Sequence, residues 1–176
     1  LAICNDCVFP CVTIVPSASQ YPESQSILLF NYGSNNTEQL RYRTKNPNLV
    51  SNKGFIRNYI RIFAGKSKRW QDGAVASLKE KKDQICKGTY VKISAKELEL
   101  LDKYEGIVEN VYYKKRIHIE TPNGEKLKGL VYVRYNNTWE NHPSIQYIKN
   151  CIKTIIPFWS ELDEHDEYIV KDETFT

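Results

Sequence analysis

Two short stretches hold the residues best suited to chemistry. The first is Phe30-Asn31-Tyr32-Gly33-Ser34-Asn35, where a Gly and a small hydroxyl residue follow the apolar run Ile27-Leu28-Leu29-Phe30. An apolar run that stops at Gly-Ser-Asn reads as a strand ending in a tight loop, and residues 37–43 then read as a helix. Strand, Gly-bearing loop and helix start together make a backbone nest, whose N–H groups point at an anion or a developing oxyanion. The second stretch ends at Glu105. A helix starting at Ser94 has apolar positions at Leu98 and Leu101, and seven places beyond Leu98 on the same face comes Glu105. The pattern turns a carboxylate toward the core at the C-terminal end of a helix. Burial and the negative helix end both oppose ionisation there and raise the pKa, which suits a proton shuttle working near neutrality. The competing expectation is that Glu105 caps a neighbouring loop or lies in solvent as the helix frays. Asp102 falls off the apolar face, and Glu109 lies in a polar loop. Ser34 as a nucleophile would need a partner base, but His118 reads as strand, His142 precedes a helix, and neither sits in a recognisable motif.

The elements that must position these groups follow from pattern and punctuation. The 176 residues read as one domain with a sizeable core. Residues 1–25 differ from the rest: Pro10, Pro16 and Pro22 with a Ser-rich run make an extended arm, in which residues 12–15 are able to add an edge strand or dock on a partner protein. Residues 26–159 form the compact domain, and residues 160–176 an acidic surface tail. Residues 54–64 alternate as a strand covered on both faces, residues 65–72 make a polar loop carrying Trp70, and residues 73–78 form a short strand of small side chains that lets a ligand or another backbone come close. Residues 85–93 make a further strand. Ser94-Ala95-Lys96-Glu97 is a capping box, and Gly106 is placed to end that helix in the left-handed conformation. Asn123-Gly124 joins two strand-like runs, 111–120 and 126–135, as a hairpin. Pro143 suits the first turn of a last helix, 143–154, with an apolar stripe of Ile145, Ile148 and Ile152. Short connections mean mostly antiparallel neighbours. The expected fold class is α+β: a small mixed or antiparallel β-barrel with a few short flanking helices.

Composition narrows the function. The net charge of +4 comes from scattered positives: Lys66, Lys68 and Arg69; Lys79, Lys81 and Lys82; Lys114, Lys115 and Arg116. Without interleaved aromatics these runs read as solvated faces, and no nucleic-acid partner is expected. No run reaches the roughly 20 apolar residues of a membrane span. No N-terminal charged-then-apolar signal is visible, so the expected location is cytoplasmic, although a chain with no Met that begins at Leu1 is expected to have its true start upstream. Five cysteines in an odd count argue against a secreted disulfide framework. Cys4-x-x-Cys7-x-x-x-Cys11 suggests metal ligation, yet zinc takes four ligands and no His or second Cys pair lies nearby. Partly buried thiols are the preferred reading, with no metal and no cofactor. Cys86 and Cys151 fall in core elements.

Several of these pieces coincide with one family. The chain resembles the gamma-glutamylcyclotransferases over about residues 26–155. Tyr32-Gly33-Ser34-Asn35 is similar to their signature loop, with Leu40 and Arg43 at the family's spacing after it. Gly54-Phe55 and residues 59–63 resemble the second strand, and Trp70-Gln71-Asp72-Gly73-Ala74-Val75-Ala76 the Gly/Ala-rich segment. Leu101-Asp102-Lys103-Tyr104-Glu105-Gly106-Ile107 is similar to the segment bearing the catalytic Glu. Tyr112 and Tyr113 follow at the distance of a site tyrosine, Tyr112 being the preferred one of the two, and Pro143-Ser144-Ile145-Gln146-Tyr147 resembles the late Pro-Ser-x-x-Tyr motif. Asn35 places the chain nearer the general gamma-glutamyl branch than the glutathione-degrading or gamma-glutamylamine branches. Two regions depart from the family pattern: the Cys-bearing arm, and the segment after Tyr147, where Asn150-Cys151-Ile152 leads to Pro157-Phe158-Trp159 instead of Gly-Ala and a further helix.

The resemblance implies a cofactor-free reaction. The α-amine of a gamma-glutamyl amide attacks its own γ-carbonyl, giving 5-oxoproline and a free amine or amino acid. Positioning supplies much of the rate of such an intramolecular step. Glu105 would take the proton from the attacking amine and return it to the leaving amine. Backbone at Tyr32, Gly33 and Ser34 would bind the glutamyl carboxylate or the oxyanion, Asn35 would join them in binding substrate, and Tyr112, Tyr132 and Tyr147 would supply hydroxyls and walls. The alternative is a catalytically idle domain serving as a structural or interaction subunit, with residues 1–25 as the place for a protein partner.

Overall fold

Hydrophobic alternation and helix caps sort the chain into five strands and three helices in a computed structural model that describes residues 25–109, 111–135 and 140–161. The expected arm with its Cys4, Cys7 and Cys11, and most of the acidic tail, lie outside the described residues. The order is β1 (Ile27–Asn31), α1 (Thr37–Thr44), β2 (Asn52–Ser67), β3 (Gly73–Ile93), α2 (Ala95–Tyr104), β4 (Tyr112–Glu120), β5 (Lys126–Arg134) and α3 (Ile145–Ile152). The strands close into a barrel in the order β1-β3-β2-β4-β5. Every neighbouring pair is antiparallel except β1 with β5, which run parallel through Leu29–Leu130 and Phe30–Val131. The mixed α+β barrel expected from the sequence is the observed architecture.

β1 shows how the barrel is clad. Successive side chains on a strand point to opposite faces. Phe30 enters the barrel interior with Ile56, Phe63, Ile119 and Val131, while Ile27 and Leu29 face outward against Leu40 of α1 and Leu98 and Leu101 of α2. This second cluster seats both helices on the outside of β1. The predicted capping box is present in full: Ser94 Oγ accepts from the Glu97 N–H, and the Glu97 carboxylate accepts from the Ser94 N–H. Asn123-Gly124 turns the β4–β5 hairpin, with Gly124 at φ 85. Cys86 and Cys151 are both fully buried.

Three sequence expectations are corrected. The strands expected at 73–78 and 85–93 are one continuous β3, paired with β2 over nearly its whole length. Residues 79–84 are exposed, so their charged sequence carries no alternation to read. A register shift after Arg57 sits beside Asn58 and Asp83, both at positive φ, where the Asn58 side chain accepts from the Asp83 N–H at 3.0 Å. The polar loop expected at 65–72 is shorter, because β2 runs on to Ser67 and only a 3-10 turn, Lys68–Trp70, with the turn residues Gln71 and Asp72 separates it from β3. The last helix begins later than expected: Pro143 precedes the N-cap, which is Ser144, whose hydroxyl accepts from the Tyr147 N–H. Its buried face is Tyr147, Ile148 and Cys151, while Ile145 is about half exposed. Among the described residues, no helix is long and apolar enough to cross a membrane.

Candidate active site

The strand β1 ends at Asn31, and the chain turns through residues 32–35 into α1. Gly33 does not adopt a positive φ, so its role is not conformational. A Cβ at this position would lie 3.0 Å from the Ala76 Cβ and 3.3 Å from the Tyr147 hydroxyl. Glycine is needed because the loop presses against β3 and α3. The loop is held from several sides. Asn36 caps α1, its side chain accepting from the Gln39 N–H, and its Nδ2 donates to the Asn150 carbonyl at 3.3 Å. Thr154 Oγ1 donates to the Gly33 carbonyl at 3.1 Å. Residues 150–154 thus close over the back of the loop. Among the described residues, no group accepts the N–H of Gly33, Ser34 or Asn35.

Glu105 arrives from the opposite side as the C-cap of α2. Gly106, at φ 62, stops the helix, and the Ile107 N–H returns to the Asp102 carbonyl at 3.2 Å, a Schellman-type closure. The Glu105 side chain is 12% exposed. Asn35 Nδ2 donates to Glu105 Oε1 at 2.8 Å, and Arg43 Nη1 lies 3.8 Å from the same oxygen. Asn35 Oδ1 accepts from Arg43 Nη1 at 2.7 Å. Burial pushes the Glu105 pKa up, and the Arg43 guanidinium and the Asn35 hydrogen bond only partly oppose it. The carboxylate faces inward as the helical spacing predicted.

All eight residues singled out in the sequence line one cavity of about 40 Å³: Tyr32, Gly33, Ser34, Asn35, Glu105, Tyr112, Tyr132 and Tyr147. Neither His118 nor His142 lines it. The tyrosines are more committed than expected. Tyr147 accepts from the Ala76 N–H at 2.7 Å, and Tyr112 donates to the Ala76 carbonyl at 3.2 Å, so the two rings clasp one residue of β3. Accepting leaves the Tyr147 proton for a further acceptor. The Tyr32 hydroxyl donates to the Tyr132 carbonyl at 2.5 Å, and the Tyr32 carbonyl accepts from Arg61 Nε. The Tyr132 hydroxyl donates to Asp102 Oδ1 at 2.6 Å. Burial raises the pKa of all four phenols, so they remain protonated donors and not bases.

Two groups near the site escaped sequence reasoning in these roles. The sequence marks Arg43 only by its spacing, whereas in the fold it bridges Asn35 and Glu105 from the last turn of α1. Asp102, set aside as off the apolar face, accepts from both Tyr132 and the buried Lys114, at 2.6 and 2.7 Å. Its place three residues before Glu105 was the available signal, since i and i+3 positions share a helix side. Among the described residues, no group of three His, Cys, Asp or Glu side chains is arranged to hold a metal.

Comparison with known proteins gives a consistent picture. The family profile "Gamma-glutamyl cyclotransferase, AIG2-like" matches residues 29–150. A solved gamma-glutamyl cyclotransferase superposes with TM-score 0.73 at 24% identity, over 84% of this chain and 88% of that one. An uncharacterized human protein superposes with TM-score 0.72 at 25% identity, over 83% of this chain and 87% of that one. A yeast gamma-glutamyl cyclotransferase specific to glutathione shares the fold at 13% identity, with TM-score 0.55 over 82% of this chain and 93% of that one. No curated protein matches the chain by sequence.

Proposed function

The chain belongs to the gamma-glutamyl cyclotransferase, AIG2-like family, and on that footing we propose that it releases 5-oxoproline from a gamma-glutamyl amide by intramolecular acyl transfer. The observation that supports this reading is the buried Glu105 carboxylate, aimed into a cavity whose opposite wall is the loop 32–35. The substrate's α-amine attacks its own γ-carbonyl, forming the ring C–N bond. Glu105 accepts the proton lost by that amine. The tetrahedral intermediate then expels the second amine, which takes the proton from Glu105 as its C–N bond breaks. Charge that develops on the former carbonyl oxygen falls to the N–H groups of Gly33, Ser34 and Asn35 and to the Tyr147 hydroxyl. No cofactor enters this scheme, because holding one molecule in its cyclising conformation replaces a bimolecular encounter.

Arg43 tunes the shuttle. A carboxylate buried alone would hold its proton too tightly to act as a base near neutrality. Arg43 and Asn35 favour the charged form, and burial favours the neutral one. The balance leaves a group able to take and return a proton within one turnover.

The test is 5-oxoproline release from a panel of gamma-glutamyl amino acids and amines, by wild type and Glu105→Gln. Glutamine keeps an acceptor for Asn35 and Arg43, so the fold survives while turnover falls at least about 10²-fold. Wild-type release by the variant would remove Glu105 from the mechanism. No release by folded wild type from any member would leave the idle interaction subunit as the better reading, with residues 1–25 the first place to seek its partner.

A further inference from the structure

The inner cavity opens past Ser34, Glu105, Tyr112 and Tyr147 into a larger vestibule of about 310 Å³, and the charge of its walls is one-sided. Arg43, Lys66, Lys68, Arg69 and Arg134 all line it, and among the described residues Glu105 is the only carboxylate in the lining. Arg43 already serves Glu105. Lys68, Arg69 and Arg134 form no ion pair among the described residues. Lys66, Lys68 and Arg69, which read from the sequence as a solvated face, are exposed, but the end of β2 and the 3-10 turn after it gather them at the mouth of the site.

Arg134 shows that this concentration of charge is built into the fold. Its Nε is buried without a hydrogen-bond acceptor among the described residues. Its guanidinium lies over Gly65, where a Cβ would collide with it, and that glycine sits at φ 69. The backbone makes room for a cation that the protein itself leaves partly unsatisfied. Arg69 and Arg43 both lie against the Tyr104 ring, with guanidinium carbons 5.8 and 4.9 Å from its centroid.

Resting on the cyclotransferase reading above, the geometry dictates which part of the substrate meets these cations. The glutamyl half must reach Glu105 and the loop 32–35 in the inner cavity, so the amine that will leave projects outward into the vestibule. We infer that the vestibule selects an anionic leaving group: an amino acid or short peptide bearing two or more carboxylates, held by Lys68, Arg69 and Arg134. A cationic amine meets like charge on that wall, and an uncharged one gains nothing from it. Expulsion of an anion-bearing amine passes the proton from Glu105 to its nitrogen and leaves its carboxylates on the basic wall.

The test measures kcat/KM for three substrates that share the glutamyl half and differ in the leaving amine: gamma-glutamyl-glutamate, gamma-glutamyl-alanine and gamma-glutamyl-propylamide. At low ionic strength the dicarboxylate is preferred over the propylamide by about tenfold, mainly through KM, and salt narrows the gap. The preference ratio collapses in Lys68→Ala/Arg69→Ala, whereas Lys81→Ala/Lys82→Ala, which removes the same charge elsewhere, leaves it intact. Equal kcat/KM for all three, with 5-oxoproline still released, overturns the inference and leaves the cyclotransferase reading standing. If none is turned over, calorimetry with the same compounds decides. Tighter binding of the dicarboxylate, lost in Lys68→Ala/Arg69→Ala, upholds the vestibule while the reaction is abandoned. Equal or absent binding overturns both.

Discussion

Asn35 and Glu105, 70 residues apart in sequence, meet through a 2.8 Å hydrogen bond in which the amide donates to Oε1 of the carboxylate. The same Asn35 side chain accepts from Arg43 at 2.7 Å, so one residue couples the proposed proton carrier to its counter-ion. Asn35→Asp replaces the donor by a second negative charge. Glu105 then holds its proton more tightly, and the acidic limb of kcat/KM moves to higher pH. On the acidic limb of that profile, where the rate follows the ionised fraction of Glu105, each pKa unit of upward shift costs about tenfold, while the plateau above it is unchanged. A pH–rate profile for 5-oxoproline release checks it.

The sign of the Glu105 shift also fixes a pH dependence of stability. Burial raises the folded-state pKa, so across a window starting at the ordinary carboxylate value the folded chain binds a proton that the unfolded chain has lost. The contribution of Glu105 to stability is therefore constant below that window, falls as pH rises through it, and is constant again above it. Glu105→Gln has no such titration. Urea denaturation at a series of pH values should show the stability of wild type falling relative to the variant as pH rises. A difference that grows in favour of wild type would contradict the assignment.

Asp102 holds the end of α2 to the barrel. It accepts from Lys114, whose side chain is only 5% exposed, and from the Tyr132 hydroxyl. Asp102→Ala strands a buried ammonium, at a cost of about 3–5 kcal/mol. Asp102→Asn keeps an acceptor and costs less. Because Glu105 follows on the same helix end, both variants should lower kcat more than they raise KM. Denaturant titration and steady-state kinetics separate the two effects.

The contact at Gly33 predicts a compensated pair. Gly33→Ala forces a methyl against the Ala76 methyl and the Tyr147 hydroxyl, costing about 1–3 kcal/mol by overpacking. Removing the opposing methyl in Gly33→Ala/Ala76→Gly should recover part of the stability. Melting temperatures of the two single variants and the double variant, read as a cycle, measure the coupling.

Tyr147 is the remaining wall with a measurable bond. Tyr147→Phe leaves the buried Ala76 N–H without its 2.7 Å acceptor and costs about 1–3 kcal/mol. If the hydroxyl also serves the oxyanion, kcat falls beyond what the loss of folded protein explains. Kinetics below the melting transition distinguish the two roles.

Local rules made much of this protein legible before any contact was known. Ser94 and Glu97 announce the start of α2, and the spacing of Leu98, Leu101 and Glu105 places a carboxylate on its buried side, because a helix repeats every 3.6 residues wherever it sits. Asn123-Gly124 marks a hairpin, and the apolar run before Tyr32 marks a strand ending in a loop. The continuity of β3 was hidden because residues 79–84 are exposed and carry charge, so no periodicity records that they remain paired with β2. The buried stripe of α3 was misplaced toward Ile145, since which apolar residues of a short helix face inward depends on the surface it docks against. Only the closed barrel brings Arg43 and Asn35 to Glu105, ties Asp102 to Lys114 and Tyr132, and gathers Lys68, Arg69 and Arg134 around one mouth. Such pairings join distant segments whose approach is set by packing, and hydrogen bonds and charge leave no periodic trace in the chain that makes them.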